Sequence, residues 1–146
     1  MMMRSIGTMS RNAVWAVCAT AALVRVAVPY MVRGDIASGH EKLLRSKSLP
    51  DLAGKKLTAA VVRYAPAGKS PKHHHAGDVF AFVISGAVRS QNSATGPARV
   101  YHAGESFFEP AGSVHLVSEN ASVQEPAQRL AVFVADGGAQ LATTKP

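Results

Sequence analysis

The sequence predicts an all-β chain folded as an antiparallel sandwich or barrel. Three observations point there. Short runs of Val, Ala and Phe are cut repeatedly by Gly and Pro. From residue 55 onward these runs recur at intervals of about ten residues, with turn signals between them. The same stretch carries no long apolar pattern at helical spacing.

The elements follow in order. Glu41–Ser48 reads as a short strand or arm inside a Gly- and Pro-containing lead-in. Leu57–Tyr64 alternates, with Leu57, Ala59, Val61 and Arg63 on one face, and Pro66-Ala67-Gly68 stops it. His73–His75 follow Pro71 as a brief extended segment. Val79–Ile84 is apolar on both faces and is expected to be buried on both sides, with Ser85-Gly86 turning the chain. Val88–Gln91 leads into a hairpin loop over Asn92–Pro97, then a strand at Arg99–His102 and a turn at Ala103-Gly104. Ser106–Glu109 is ended by Pro110-Ala111-Gly112, and Val114–Ser118 and Arg129–Ala135 are the last strands. No internal repeat is present.

At 146 residues, with 47% hydrophobic and 17% charged residues, the chain has room for one folded domain. This usage excludes a disordered chain, a coiled coil and a collagen-like fibre. The single Cys18 excludes a disulfide framework and a Cys-based zinc site. The net charge of +7 resembles a nucleic-acid signal, but its distribution does not. Arg4, Arg11 and Arg25 lie in the apolar N-terminal segment, and setting them aside leaves +4 spread over scattered Lys and Arg. We therefore expect no nucleic-acid partner.

Residues 1–12 carry Arg4 and Arg11 and no acid, and residues 13–24 carry no charge. A basic stretch followed by a short apolar one is the layout of a secretory signal. Ala19-Thr20-Ala21 offers a cleavage site, and Ala37-Ser38-Gly39 a poorer one. A membrane anchor over 13–32 is the alternative, at a cost of about 2.5–3.5 kcal/mol for Arg25 near the bilayer centre. A mis-assigned start, with a cytoplasmic protein, is a third reading. The expected organisation is a signal peptide or anchor plus lead-in over 1–35, an arm over 36–54, a barrel over 55–138 and a tail over 139–146. The expected location is periplasmic or secreted.

The chemistry lies in the histidines. On an extended strand His73 and His75 share a face and His74 takes the other. Two imidazoles so spaced can chelate one metal ion, although a surface histidine pair accounts for them equally well. A second group follows: Gly104, Pro110, Gly112 and His115, a strand, a Pro-Gly turn and a strand opening on histidine. His40 and His102 lack partners and read as solvated or sheet-surface residues.

Together these residues resemble the two motifs of the cupin superfamily. Gly68, His73, His75 and Gly86 follow the first motif, with Gly68 one residue closer to His73 than usual. Gly104, Pro110, Gly112 and His115 follow the second, with Asn120 one place late. The short segment between Gly86 and Gly104 is similar to that of small single-domain bacterial cupins of the quercetin-dioxygenase-like kind. The resemblance spans residues ~57–136. It implies an antiparallel double-sheet jelly-roll barrel with a divalent transition metal (Fe, Mn, Zn, Ni or Cu) at its mouth. It implies His73, His75 and His115 as ligands, with ring nitrogens within roughly 3–4.5 Å of one another.

The pattern breaks at the carboxylate. Val79 stands where the family usually has Glu, and Asp78, one residue away, is expected on the opposite face. Glu109, next to Pro110, shares a face with Phe107 where cupins usually carry an apolar residue. It is the candidate catalytic residue, either replacing the lost ligand or acting as a base beside the ion. The bland alternative is a frayed strand end with Glu109 solvated, or a Glu109 paired with a nearby Arg.

Two functions follow from the resemblance. One is a metal-dependent oxygenase-like enzyme acting on a small enol, polyphenol or diketone. The other is a non-catalytic module that binds a small molecule or metal. Phe80, Phe82 and Ile84 need cover on the outer face, so a homodimer is expected, with the arm exchanged or packed at its edge.

Overall fold

A computed structural model describes residues 40–144. The expected signal peptide or anchor, with Cys18, lies outside the described residues, as do the first residues of the arm. Ten strands form: β1 (His40–Ser48), β2 (Lys55–Tyr64), β3 (His73–His75), β4 (Asp78–Ser85), β5 (Ala87–Asn92), β6 (Arg99–His102), β7 (Ser106–Glu109), β8 (Val114–Asn120), β9 (Ala127–Asp136) and β10 (Ala142–Thr143). Among the described residues there is no helix.

The strands make two antiparallel five-stranded sheets, in the orders β1-β2-β9-β4-β7 and β10-β3-β8-β5-β6. Each sheet buries the face that its alternating pattern makes apolar. On β4 the buried set is Val79, Ala81 and Val83, all fully buried. On β9 it is Ala127, Arg129, Ala131, Phe133 and Ala135. With Ala60, Val62, Tyr64 and Val88 these residues fill the space between the sheets. On β2 the face holding Leu57, Ala59, Val61 and Arg63 is the outer one, as alternation requires.

The expectation that Val79–Ile84 is buried on both sides does not hold within one chain. Phe80, Phe82 and Ile84 remain 45%, 37% and 46% exposed. The reason is topological: β4 lies between β9 and β7 in a sheet whose outer face nothing in the described chain covers. β1 pairs along its full length with β2 as the edge strand of that sheet. The C-terminal segment contributes β10, which pairs with β3 and sits beside the histidines.

Two glycines shape the barrel mouth, one by close approach and one by its backbone conformation. A side chain at Gly77 would run into the Val134 carbonyl, so only Gly lets the β3–β4 turn pack on β9. Gly112, at φ +75°, closes the turn between β7 and β8, and its N–H bonds the His75 carbonyl. That turn sets Glu109 and His115 side by side at the same end of the barrel.

Candidate metal centre

His73 and His75 point inward from β3 and are buried, while His74 is partly exposed on the other face. His73 pairs across the ladder with His115, which opens β8 on the inner face and is fully buried. Each of the three rings offers a nitrogen, and these atoms lie within 4.8 Å of one another. That is a few tenths of an ångström wider than the expected ligand spacing. His40 and His102 are exposed, and neither belongs to this group.

The ring orientations are set by hydrogen bonds to the far nitrogens. His73 Nδ1 lies 2.7 Å from the Pro71 carbonyl, and His75 Nδ1 lies 3.1 Å from the Leu141 carbonyl. A carbonyl only accepts, so both rings carry their proton on Nδ1 and turn a lone pair at Nε2 into the barrel. Such backbone partners characteristically fix a metal-ligating imidazole. His115 is held through Nε2 by the Ser90 hydroxyl at 2.9 Å, which leaves Nδ1 facing the group.

Glu109 joins them. It is fully buried, and its Oε2 lies 3.2 Å from His75 Nε2 and 3.0 Å from His115 Nδ1. These separations are short, yet none of the three atoms makes a hydrogen bond; His75 carries its proton on Nδ1 and has none to give at Nε2. Three unsatisfied buried ligand atoms converging on one point fit a divalent cation better than a shared proton. Two or three imidazoles with one carboxylate suit Mn, Fe, Ni, Cu or Zn. Asp78 takes no part: it is exposed and its Oδ1 accepts from the Ala111 N–H at 2.8 Å, steadying the Pro110–Gly112 turn.

The electrostatics agree with this donor set. Burial holds the His73 pKa down at about 4, so the ring is neutral at pH 7. Burial also lowers His115, against the opposing pull of Glu109. For Glu109 burial favours the neutral acid, but contacts with His115 and His75 and the charge of Arg129 outweigh it. The carboxyl is held well below the usual range.

Arg129 is the residue that the sequence reading did not single out. It is buried on β9, with Nη1 3.5 Å from Glu109 Oε1 and Nη2 donating to Ser118 Oγ at 3.2 Å. The signal was present: Arg129 shares the inward face with Ala131 and Phe133. Asn120 serves a structural role, with its amide donating to the Ala65 and Glu125 carbonyls.

The comparisons with known proteins bear on this arrangement. Residues 60–133 match the cupin domain family model. The chain is a cupin. No curated protein matches it. A double-stranded β-helix protein from Klebsiella pneumoniae is similar at 22% identity and TM-score 0.57, over 77% of this cupin and 91% of that chain. A cupin domain from Bordetella pertussis is similar at 14% identity and TM-score 0.53, over 70% and 98%. The DMSP lyase DddQ from Ruegeria pomeroyi is similar at 23% identity and TM-score 0.51, over 57% of this chain and 41% of the lyase. At these identities the likeness is one of fold.

Proposed function

We propose that this cupin is a metal-dependent, oxygenase-like enzyme. His73, His75, His115 and Glu109 would hold its divalent transition metal, and its substrate would be a small enol- or diketone-type molecule. The observation that carries the reading is the convergence of His75 Nε2, His115 Nδ1 and Glu109 Oε2, buried and without hydrogen bonds. A bound transition metal supplies Lewis acidity, an open coordination position and, for redox-active ions, electrons for O2.

The chain's own residues supply the rest. Pro71, Leu141 and Ser90 hold the imidazoles in their orientations. Glu109 presents its anionic Oε2 to the cluster, where it balances cationic charge. Val79, opposite Glu109, and Phe133, beside His75, are buried and exclude water around the group. A cavity of about 220 Å³, lined in part by His73, His75, Arg129 and Phe133, opens beside it. It is smaller than the ~300 Å³ at which drug-sized pockets begin, which favours a small diketone or enol over a flavonoid polyphenol.

The test is metal analysis of the full-length protein produced with Mn, Fe, Ni, Cu and Zn supplied, followed by O2 uptake on β-diketones, enols and polyphenols. About one equivalent of one ion and turnover of a small enolisable substrate are expected. Full occupancy without turnover would point to the binding-module reading instead.

A further inference from the structure

We propose that Arg129 is a binding residue for a carboxylate, and that the molecule entering the histidine cavity carries one. The geometric half of this stands on Arg129 itself, while the charge half rests on the metal reading above.

Arg129 is only 3% exposed and lies between the two sheets. A buried guanidinium retains its charge and needs its donors satisfied. Here Nη2 has a partner in Ser118, whose hydroxyl lies 2.7 Å from the Tyr64 hydroxyl. Tyr64 is in turn 3.1 Å from Ser70 Oγ. This chain fixes one side of the guanidinium. Nε and Nη1 have no hydrogen-bond partner. Phe107 offers its ring face at 5.7 Å, which stabilises the cation without using a donor.

The acids nearby do not account for those donors. Glu109 Oε1 is 3.5 Å from Nη1 without bonding it, and Oε2 is turned to His75 and His115. Glu41 is exposed on β1, among the residues lining the same cavity. Arg129 is among the residues lining the cavity beside His73 and His75, and its two unused donors, Nε and Nη1, are themselves buried. A carboxylate is the ligand whose oxygens match a planar guanidinium and satisfy more than one donor together.

Charge points the same way. Metal-ligating imidazoles are neutral. With a divalent ion in place, Glu109 cancels only one of the positive charges on the ion and Arg129. The buried groups are then left with two positive charges, opposed at the cavity, among the described residues, only by the exposed Glu41, and the site favours an anionic ligand over a neutral one.

The test compares two ligand series on full-length protein by calorimetry. One series is β-diketones bearing a terminal carboxylate one to three methylenes away; the other is their neutral alkyl counterparts. Metal content is assayed in the same samples, so a failure of the metal site is told apart from a failure of the anion site. The best carboxylate should bind about 10- to 100-fold tighter than its neutral counterpart. That preference should fall to about one in Arg129→Gln. Arg129→Lys keeps the charge but loses the planar donors, and should retain only part of the preference; it carries the test if Arg129→Gln fails to fold. Equal affinities in the wild type, or a preference that survives in both variants, overturns the proposal. Binding of inorganic phosphate in place of every carboxylate also overturns it. If the wild type holds no ion, the same series on metal-free protein must still show an Arg129-dependent preference, or the proposal falls.

Discussion

Val79 and Glu109 stand directly opposite each other across β4 and β7, both fully buried on the inner face. Directly paired residues place their Cβ atoms about 4.5–5.5 Å apart on the same side of a sheet. The carboxylate missing from β4 is therefore present one strand over, in nearly the same space. Val fills that position with a small apolar side chain, and among the described residues no second buried acid competes for charge.

That relationship predicts the outcome of relocating the carboxylate. Glu109→Val should lower metal affinity about 10- to 100-fold and destabilise the fold by about 3 kcal/mol, because Arg129 loses its anion. Val79→Glu combined with Glu109→Val should restore much of both. Asp78→Ala should leave metal occupancy near wild type, since Asp78 bonds only the Ala111 N–H. Metal titrations of the four proteins check this; a damaging Asp78→Ala with a harmless Glu109→Val would reject it.

Metal removal should be felt in the fold as well as in the chemistry. An ion present at 100 times its dissociation constant adds about 2.7 kcal/mol to the native state. For a domain of this size that is a drop of several degrees in Tm on treatment with a chelator. Each of His73→Ala, His75→Ala and His115→Ala should abolish the chelator-sensitive part of Tm. Thermal melts with and without chelator measure it, and a chelator effect that persists in all three variants would contradict the ligand assignment.

Acid should weaken the metal-free fold through the same histidines. His73 has a folded pKa of about 4 against an unfolded 6.5, so above pH 6.5 both states hold it neutral. As pH falls from 6.5 towards 4 only the unfolded chain takes up the proton, and stability declines by on the order of 2 kcal/mol. His115, also lowered, contributes in the same direction. Glu109, depressed, stabilises the fold above the ordinary carboxylate pKa and ceases to do so at lower pH. Urea unfolding of chelated protein between pH 7 and pH 4 reads the slope, which His73→Gln should flatten. An unfolding free energy independent of pH over that range would reject the neutral-ring account.

What was legible in the sequence follows the strength of the local signal. Alternation placed β2 and set His73 and His75 on one face, because strand geometry leaves no other choice; that this face is inward came from the cupin resemblance, and the alternation of β4 was hidden by its apolar residues on both faces. The turn Pro110-Ala111-Gly112 placed His115, because Gly112 supplies the positive φ that the turn needs. Glu109 was found by the same alternation, as an acid on an inward face. Its pairing with Val79 was not readable, since register between strands distant in sequence is a tertiary property. β10 escaped because two residues carry no periodicity, and their pairing with β3 is dictated by the histidine strand. Arg129 escaped because a charge at the start of an expected strand reads as solvated, although alternation already set it on the face of Ala131 and Phe133.

The last prediction concerns the face that the chain leaves open. Phe80 pairs with Phe108 and Val132 on the outer side of the first sheet, and Phe82 pairs with Leu130. Phe80, Phe82, Ile84 and Phe108 are between 37% and 50% exposed. Contiguous exposed apolar surface of this kind favours association. β1 lies at the far edge of the same sheet, beyond β9 and β2. Two copies of one chain meet most simply about a two-fold axis, with the same patch on each. The expected outcome in light scattering at micromolar concentration is a species of about twice 15.3 kDa for the full chain. Phe82→Lys, which places a charge in the centre of that face without touching the inner one, should shift the population to monomer and leave the melting temperature of the barrel within a few degrees. A wild type that runs as a monomer would mean that this surface is solvated as it stands.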